Sequence, residues 1–420
     1  MKQTLLALIA LLLVVSLNAS MYVLNTISQT VSKINLEDGS VDNSFAVTGL
    51  YPNQLSITED YLYVVNSGDN DVQKIDLKNG QTIQRIDVEE YSNPYSIVIA
   101  DGFAYVSGLM TNKVYKIDLN IDKVVDELEV GIAPGNLYIY DKQLYVINTG
   151  FQYPDYFQGS FSVIDLENFT ITKSVDTELN PNDITEDDQG RLNVVCSGDY
   201  SDVNGSVTVY DRESLDVIKK LNFNAFLTNI EYANGQVYVG DAFGGGVFVY
   251  DAESFEIIHQ EDNLFSQGGS ALSSYQGNLY IADAGDFMSN STIRVYNNKN
   301  ELVTSYQTAI GAVSFAFSVD SSTSVEKLVV VENPIKAYPN PFKSSISIEY
   351  DSIERGVGEM ATVEVYNLKG QLIRQLPANQ PNVSWDGKDS TGRAASNGIY
   401  YLKISDDNGI ITSKRITLIK

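Results

Sequence analysis

The fold of this chain is decided by the stretch Leu62–Leu77, which reads LYVVNSGDNDVQKIDL. An apolar strand is followed by a tight polar turn of Asn, Ser, Gly and Asp, and then by a second strand that ends in Ile-Asp-Leu. Two such strands around a short Asn- and Gly-containing turn are typical of a β-hairpin. The chain repeats this hairpin seven times, so the hairpin is the unit from which the architecture is inferred.

The first strand of the hairpin recurs at a nearly constant interval. Its central residues are Tyr22, Tyr63, Tyr105, Tyr145, Asn193, Tyr238 and Tyr280, with spacings of 41, 42, 40, 48, 45 and 42. Periods of this length mark propellers and solenoids. The spacing therefore predicts seven repeat units between residues 21 and 318.

Two further ladders of residues support the repeat. The second strand of each hairpin ends in Asn35, Asp76, Asp118, Asp165, Asp211, Asp251 or Asn297. Asp and Asn at such a point bond the backbone two residues on, so these seven are interpreted as turn residues and not as a carboxylate cluster. Prolines 52, 94, 134 and 181 each stand at the start of a further apolar strand, where proline does not break a sheet.

Four strands per unit at this period predict an all-β chain with a seven-bladed β-propeller. The 27 tyrosines suit half-buried pleated surfaces. The first repeat begins in the middle of a blade, while an inner-strand candidate, Ala312–Ser318, is left over at the far end. We expect this strand to join the first blade and to close the ring by hydrogen bonds between the two ends, which removes exposed sheet edges.

The repeat also resembles a known family. The pattern of proline, inner strand, Asp/Asn-Gly, Leu-Tyr-Val-x-Asn and Val-x-x-Ile-Asp is similar to the YVTN/YncE-type seven-bladed propeller repeats, which grade into the NHL group. The resemblance covers residues 21–318 and depends on the number of copies. It implies the same closed propeller.

The N-terminus has the pattern of a secretory signal peptide over residues 1–20. Lys2 is followed by an apolar run from Leu5 to Leu17 and then by small polar residues, a run too short to span a membrane. A buried core strand is the alternative. No cysteine lies near the expected cut, and Cys196 is the only cysteine, so no intramolecular disulfide can form. The mature chain is expected to have no transmembrane segment.

The charge of the chain is concentrated in the repeats. The whole chain carries −26, made of −29 in residues 21–332 (16 Lys and Arg against 45 Asp and Glu) and +2 in residues 333–420 (11 against 9), with Lys2 completing the sum. Nucleic acid and anionic membranes require basic patches and are disfavoured as partners. The charge favours neutral or cationic partners, with a merely solvating surface as the alternative.

The tail is predicted to be a separate small domain. Residues 319–332 form a linker, and the turn sequence around Pro339 and Pro341 follows it. About seven short alternating segments then fill residues 333–420, which predicts an Ig-like β-sandwich.

The same tail resembles the type A C-terminal sorting domain of type IX secretion substrates. The matching blocks, in the expected order, are Tyr338–Phe342, Val363–Gly370, Trp385–Asp389, Gly398–Leu402 and Lys414–Ile416. The resemblance implies interaction with the type IX secretion machinery, passage across the outer membrane, removal of the tail, and either release or attachment to the cell surface. A plain Ig-like spacer is the alternative.

A candidate ligand site lies at the mouth of the propeller channel. The turns between second and third strands and the starts of the inner strands should emerge on the same face. Polar residues near the top of the inner strands are Gln54, Ser96, Asn136, Asp183, Asn229 and, less surely aligned, Ser270. An insertion over residues 150–160 adds Tyr153, Tyr156 and Phe157 to the rim. Converging polar groups favour a small-molecule site, although turns and channel mouths are also polar for backbone and hydration reasons.

Catalysis has few candidate residues. The single histidine, His259, lies on a predicted outer strand, and Cys196 has no histidine partner, which disfavours triads and His-ligated metals. Carboxylate chemistry stays open: Asp183, Asn136 and Asn229 could imitate the channel ion site of gluconolactonase-like propellers, but no glutamate occupies the ring. Calcium is a further candidate, with oxygen donors at Asp199, Asp202, Asn204, Asp283 and Asp286 that do not match EF-hand spacing.

These features favour a secreted or surface-attached binding protein whose channel mouth captures a neutral or cationic ligand. YncE-like propellers on related bacterial surfaces include partners of nutrient receptors, so a nutrient is one form of the hypothesis. A metal-dependent lactonase-like hydrolase and an adhesion or envelope platform for other proteins are the alternatives. The sequence favours a role without catalysis but leaves the question open.

Overall fold

The computed structural model describes residues 18–320, 336–349, 361–367, 372–378, 382–406 and 409–419. All regular structure in these ranges is β-strand, with no helix among them, so the predicted all-β class is confirmed. The chain divides into two compact units between Asp320 and Ser321. Residues 1–17 of the predicted signal peptide and 321–332 of the predicted linker lie outside the described residues.

The first unit consists of seven four-stranded antiparallel sheets, which we call blades 1 to 7. Blade 1 contains β1 (Asn18–Asn25), β2 (Thr30–Asn35) and β3 (Val41–Val47); blade 2 contains β4 (Pro52–Ile57), β5 (Tyr61–Asn66), β6 (Asp71–Asp76) and β7 (Thr82–Asp87); blade 3 contains β8 (Pro94–Ala100), β9 (Phe103–Gly108), β10 (Lys113–Asp118) and β11 (Lys123–Glu129).

The remaining blades continue along the chain. Blade 4 contains β12 (Pro134–Tyr140), β13 (Gln143–Asn148), β16 (Ser160–Asp165) and β17 (Thr170–Asp176), with a small hairpin of β14 (Phe151–Gln152) and β15 (Asp155–Tyr156) inserted; blade 5 contains β18 (Pro181–Glu186), β19 (Arg191–Cys196), β20 (Ser206–Asp211) and β21 (Val217–Asn222); blade 6 contains β22 (Leu227–Ala233), β23 (Gln236–Asp241), β24 (Val247–Asp251) and β25 (Ile257–His259); blade 7 contains β26 (Ala271–Tyr275), β27 (Asn278–Asp283), β28 (Ser291–Tyr296) and β29 (Leu302–Thr308).

Blade 1 takes its inner strand from the far end of the repeats. Strand β30 (Ala312–Asp320) pairs antiparallel with β1, with Met21 opposite Phe317. The inner strand of every blade contacts that of the next, and β30 contacts both β26 and β4, so the inner strands form a closed ring. The paired strands are longer than the sequence predicted, because Asn18–Ser20 pair with Ser318–Asp320.

The opening hairpin shows how the repeat builds the core between blades. Side chains alternate across a strand, and in β5 both faces of the sheet are covered by a neighbouring blade. Leu62 and Val64 pack with blade 1, whereas Tyr63 and Val65 pack with blade 3. All four are buried, so the repeated tyrosine is a packing residue.

The turn residues behave as the sequence predicts. Asp76 Oδ1 accepts the backbone N–H of Lys78 at 2.7 Å, and Asn35 does the same for Glu37 at 2.8 Å. Asp118, Asp165, Asp211 and Asn297 repeat this bond two residues on, and Asp251 accepts it from Ser254, three residues on. The seven side chains therefore end strands and do not form one cluster.

The second unit contains two sheets that share one core. One sheet consists of β31 (Lys336–Tyr338), β32 (Ile346–Glu349) and β35 (Asn382–Trp385), and the other of β33 (Ala361–Asn367), β34 (Leu372–Ala378), β36 (Gly398–Asp406) and β37 (Gly409–Leu418). The fully buried Trp385 packs against Phe342 and Tyr400, at ring distances of 5.5 and 5.1 Å. Because the core draws on both sheets, the unit is a β-sandwich.

Replacing Phe317 by Ala should weaken the contact between the closing strand and blade 7. The Phe317 ring stacks on Tyr275 at 4.4 Å and lies 4.8 Å from Tyr280. Because Phe317 is partly buried, we expect the free energy of unfolding to fall by about 2 kcal/mol, measured by urea denaturation. The matched control is Val303→Ala on the exposed outer strand β29. Equal losses in the two variants would contradict this role of Phe317.

Candidate ligand site at the channel mouth

One face of the first unit collects the starts of all the inner strands, and we call it the mouth face. Its fourteen connections are residues 26–29, 48–51, 67–70, 88–93, 109–112, 130–133, 149–159, 177–180, 197–205, 223–226, 242–246, 260–270, 284–290 and 309–311. Hydrogen bonds tie the two kinds of connection together, for example Ser67 N to Tyr51 O at 3.1 Å and Ala242 N to Phe226 O at 2.8 Å. The face predicted from strand direction is therefore present.

A cavity of about 280 Å³ lies between the inner strands near this face. Of the six predicted channel residues, five line the cavity, namely Gln54, Asn136, Asp183, Asn229 and Ser270. Ser96 is fully buried behind its neighbour Tyr95, which lines the cavity instead. Other polar lining residues are Asn53, Asn182, Thr228, Ser273 and Ser314.

Gln54 and Ser96 use their polar atoms to join blades. Gln54 Oε1 in blade 2 accepts hydrogen bonds from Ser96 Oγ and from Ile97 N in blade 3, both at 2.6 Å. Ser96 Oγ in turn accepts the N–H of Leu137 in blade 4 at 3.2 Å. These bonds, from partly to fully buried, pass from one inner strand to the next.

Asp183 continues the same series of bonds from blade 5. Its Oδ2 accepts the N–H of Ile230 in blade 6 at 3.2 Å, and its Oδ1 accepts the N–H of Ile184 at 2.9 Å. Loss of solvent in the channel raises the pKa of Asp183 to about 7, and the hydrogen bonds from Ile230, Ile184 and Asn136 oppose that rise. The carboxyl group therefore holds its proton to a higher pH than an exposed aspartic acid does.

The last links reach blade 1. Asn229 Nδ2 donates to the carbonyl oxygens of Gly269 and Ser270 in blade 7, at 3.0 and 2.9 Å. Ser270 Oγ donates to Ala312 O on β30 at 2.8 Å, and Ser314 Oγ on the same strand accepts the N–H of Leu55 at 3.4 Å. The predicted ligand residues thus form most of a ring of hydrogen bonds between blades.

Register explains the one uncertain member of the predicted ring. In blade 2, Gln54 pairs with Val65; in blade 7 the matching pair is Ala271 with Ala282, so Ala271 and not Ser270 holds the equivalent position. The preceding Gly269, at φ 104°, bends the chain so that Ser270 reaches the ring. Ser314 holds this position in blade 1, and aligning β30 with the other inner strands would have revealed it.

An aromatic cluster covers part of the mouth face beside the cavity. We define it as Phe151, Tyr156, Tyr200, Phe226 and Phe243. Tyr200 is its centre, with ring distances of 6.0 Å to Tyr156, 5.6 Å to Phe226 and 6.1 Å to Phe243. Of the predicted rim residues, Tyr156 belongs to the cluster, whereas Tyr153 is 89% exposed and Phe157 50% exposed. Tyr200, Phe226 and Phe243 were missed because they come from three separate connections.

Tyr95 links the cavity to this cluster. Burial raises the pKa of the Tyr95 hydroxyl, and the nearby Tyr200 and Asp183 raise it further. Tyr95 therefore stays protonated at neutral pH and can donate a hydrogen bond inside the cavity. The sequence carries a signal for it, since Tyr95 directly precedes Ser96 in the inner strand.

The first predicted calcium loop is held together by its own side chains. Asp199 Oδ1 accepts the backbone N–H groups of Ser201, Asp202 and Val203 at 2.8 to 2.9 Å, and these bonds lower the pKa of Asp199. Asn204 Nδ2 donates to Asn224 Oδ1 at 3.0 Å. The loop residues are thus engaged in shaping the turn.

The second predicted loop has a similar arrangement. Asp283 Oδ2 accepts a charged hydrogen bond from Arg294 at 2.9 Å, and Asp286 Oδ1 accepts the N–H groups of Met288 and Ser289. Among the described ranges, no group of three or more Asp, Glu, His or Cys residues is arranged to hold a metal ion. Calcium binding through these residues stays a prediction.

The remaining candidate catalytic groups, His259, Cys196 and Glu231, are not among the residues that line the cavity. His259 is on the outer strand β25, where Nδ1 is 2.7 Å from Asn263 O. Cys196 is buried, and burial raises the pKa of its thiol to about 12. Glu231, two residues beyond Asn229 on the same inner strand, accepts the N–H of Ser274 at 2.9 Å, and burial raises its pKa to about 7. Sequence reasoning missed this glutamate.

Asp183→Asn should flatten the pH dependence of stability. An acid whose pKa is about 7 when folded and near 3.8 when unfolded holds its proton longer in the folded state, so stability falls as pH rises from about 4 to about 7. Because Glu231 contributes similarly, we expect the variant to lose roughly half of the wild-type change, measured by urea denaturation across that range. The control is the exposed Asp60→Asn. A pH profile of Asp183→Asn that matches wild type would contradict the raised pKa of this carboxyl group.

The solved structures show the fold of the first unit in other proteins. A functionally unknown protein from Desulfotomaculum acetoxidans is 13% identical with a TM-score of 0.54, and covers 71% of this chain and 98% of that one. Hydrazine synthase from Kuenenia stuttgartiensis is 16% identical with a TM-score of 0.51 (63% and 88% covered), and the computationally designed Ika8 protein is 11% identical with a TM-score of 0.52 (71% and 89% covered). At these identities the likeness concerns the fold alone. No curated protein matches the chain.

The tail has a clear family match. Residues 336–419 match the secretion system C-terminal sorting domain, in agreement with the resemblance seen in the sequence. No described stretch of the chain forms a helix with the length and apolar character needed to cross a membrane. Residues 336–419 are therefore a type IX secretion sorting domain, and the chain is exported to the cell surface or the surrounding medium.

Proposed function

We propose that this exported chain is a binding protein whose propeller captures a neutral or cationic small molecule at the channel mouth. The observation that carries the proposal is the cavity where Asn53, Asn136, Asn182, Asp183 and Asn229 converge from four blades. A rigid ring of strands positions these groups, and converging polar side chains on a rigid scaffold favour a small-molecule site. A dissolved nutrient is one ligand that a surface-exposed site could take.

The chemistry of the lining indicates the ligand class. The cavity, about 280 Å³, is close to the lower end of the usual range for ligand pockets. Its lining offers amide, hydroxyl and phenol groups and the Asp183 carboxyl, and no lysine or arginine is among the described lining residues. Amides serve a neutral polar ligand, and the carboxyl group adds attraction for a cation.

A carboxylate-dependent hydrolase is the second candidate, because two acids near the channel have raised pKa values. Loss of contact with solvent raises the pKa of Asp183 and that of Glu231 to about 7, a range in which a carboxyl group can act as a general acid or base. Lactone hydrolysis by the wild-type chain, lost on replacing both acids by their amides, would support this candidate. No hydrolysis by the wild-type chain would remove it.

Filling the cavity should abolish ligand capture. Thr228 lines the cavity, and Thr228→Trp places an indole in it. We expect at least one compound from spent host medium to stay with the wild-type chain through native purification and to fall at least tenfold with the variant, as quantified by mass spectrometry. Ile121→Trp on the opposite face is the matched control. Equal retention by wild type and Thr228→Trp would refute the site.

Removing the tail should stop export. A chain that lacks residues 336–419, produced in a host with type IX secretion, should accumulate in the periplasm, because the sorting domain is what the secretion machinery recognises. The location is measured by fractionation and immunoblotting, with the exposed tail variant Leu372→Ala as control. Wild-type amounts of the truncated chain at the cell surface or in the medium would contradict this.

A further inference from the structure

The exposed apolar side chains of the propeller connections are concentrated on the mouth face. Its connections carry Ile27, Leu50, Tyr51, Tyr91, Met110, Tyr153, Phe157, Tyr200, Val203, Phe243, Phe287 and Met288. The opposite face has thirteen connections. Among their described residues, only Ile121 is an exposed large apolar side chain. The two faces are thus built from the same repeat but differ in chemistry.

Several of these aromatic residues occupy unfavourable backbone positions. Tyr51, Tyr91, Tyr200 and Phe287 all have φ between 51° and 62°, in the left-handed region. Glycine and asparagine fit this region better, and a bulky residue there is disfavoured. On the opposite face the exposed left-handed positions include Asp101, Asp141 and Asn234. The mouth face therefore keeps exposed rings where the backbone favours smaller polar residues.

The mouth face is also acidic and carries no cation in its connections. The fourteen connections contain ten acids, namely Asp69, Glu89, Glu90, Asp155, Glu178, Asp199, Asp202, Glu261, Asp262 and Asp286, and neither lysine nor arginine. The connections of the opposite face contain fifteen acids together with Lys78, Lys142, Arg212 and Lys299, a net charge of −11 against −10 on the mouth face. The two faces are thus similarly acidic, and the mouth face differs in combining its acids with exposed rings and with no cation in its connections.

Cations on the strands beside this face are already paired. Arg85 binds Asp69 and Asp71, Lys113 binds Glu89 and Glu127, Lys220 binds Glu178, and Arg294 binds Asp283, at 2.7 to 3.1 Å. These pairs still leave acids such as Glu90, Asp202 and Asp262 outside every salt bridge found in the described residues. The face therefore retains attraction for an external cation.

This composition matches a protein interface better than a small-molecule site. Tyr, Phe and Met are enriched and Lys is absent, which is the signature of interface centres. The exposed rings come from six of the fourteen connections, an area far larger than the mouth of one cavity of about 280 Å³. A second copy of the chain, an anionic membrane and nucleic acid would all meet the acidic face with like charge.

We propose that the mouth face is a docking surface for a protein partner that presents lysine and arginine around apolar side chains. The exposed rings provide the apolar contacts, and Arg and Lys of the partner pair with the acids and stack on the rings. The proposal does not depend on the cavity holding a small molecule. Thr228→Trp, which fills the cavity, should leave this docking unchanged.

The test uses the full chain and a defined probe, a phage-displayed library of random dodecapeptides. We expect the selected peptides to contain an excess of lysine and arginine with apolar neighbours. The binding of synthetic versions is then measured by fluorescence anisotropy, and affinity should fall when the salt concentration rises from about 50 to about 300 mM. Acidic peptides with the same apolar residues serve as the comparison probe.

A double and a triple variant locate the binding surface. The double variant combines Tyr200→Ser and Phe243→Ser, and the triple variant combines Glu90→Gln, Asp202→Asn and Asp262→Asn. Each should weaken peptide binding at least tenfold. The control for the double variant combines Ile121→Ser on the opposite face with Val303→Ser on an outer strand. The control for the triple variant combines Glu37→Gln, Glu59→Gln and Glu253→Gln on the opposite face. Circular dichroism and urea denaturation of each variant separate lost binding from lost folding.

Four outcomes would overturn the proposal. The first is that no peptide is enriched, and the second is that the selected peptides lack an excess of basic residues. The third is that the opposite-face variants weaken binding as much as the mouth-face variants, which would indicate attraction to overall negative charge alone. The fourth is that the selected peptides compete with a compound retained in the cavity, which would mean that they bind in the cavity and not on the wider face.

Discussion

The pairing of β30 with β1 is the constraint on which the rest of the first unit depends. Without it, blade 1 lacks an inner strand, and the inner strands of blades 2 and 7 lose their neighbour. The channel exists only while the ring is closed. A chain whose single cysteine allows no intramolecular disulfide must obtain this closure from packing and hydrogen bonds.

The polar residues around the channel serve this closure before they serve a ligand. Gln54, Asp183 and Asn229 each direct a polar atom at the next blade. Partly buried groups paired in this way stabilise one register of neighbouring blades, and leaving a partner unpaired would cost free energy. Contacts to a ligand must therefore come from the hydrogen-bond donors and acceptors that these groups do not use between blades, and from neighbours such as Thr228 and Tyr95. The loops of the mouth face do not have to supply these hydrogen bonds between blades, so they can carry exposed rings and carboxylates.

Much of the fold could be read from the sequence because the repeat supplies the same information many times. The alternation in Leu62–Val65 and the turn role of Asp76 follow from local rules that the structure bears out. The limits appear where blades meet. The cluster around Tyr200 joins residues from separate connections, and the pKa of Asp183 depends on burial among several strands. Neither has a local signature. The tail was identified because its sequence blocks are specific and in order.

Native-state hydrogen exchange of the propeller tests the closed ring most directly. If closure holds the seven blades as one cooperative unit, the amides of β1 and β30 exchange through global unfolding, with free energies within about 1 kcal/mol of those in the central strand β13 of blade 4. The contradicting result is rapid exchange in β1 and β30 while β13 remains fully protected. That result would mean that the ends separate independently and that the channel and its mouth are not permanent features of the molecule.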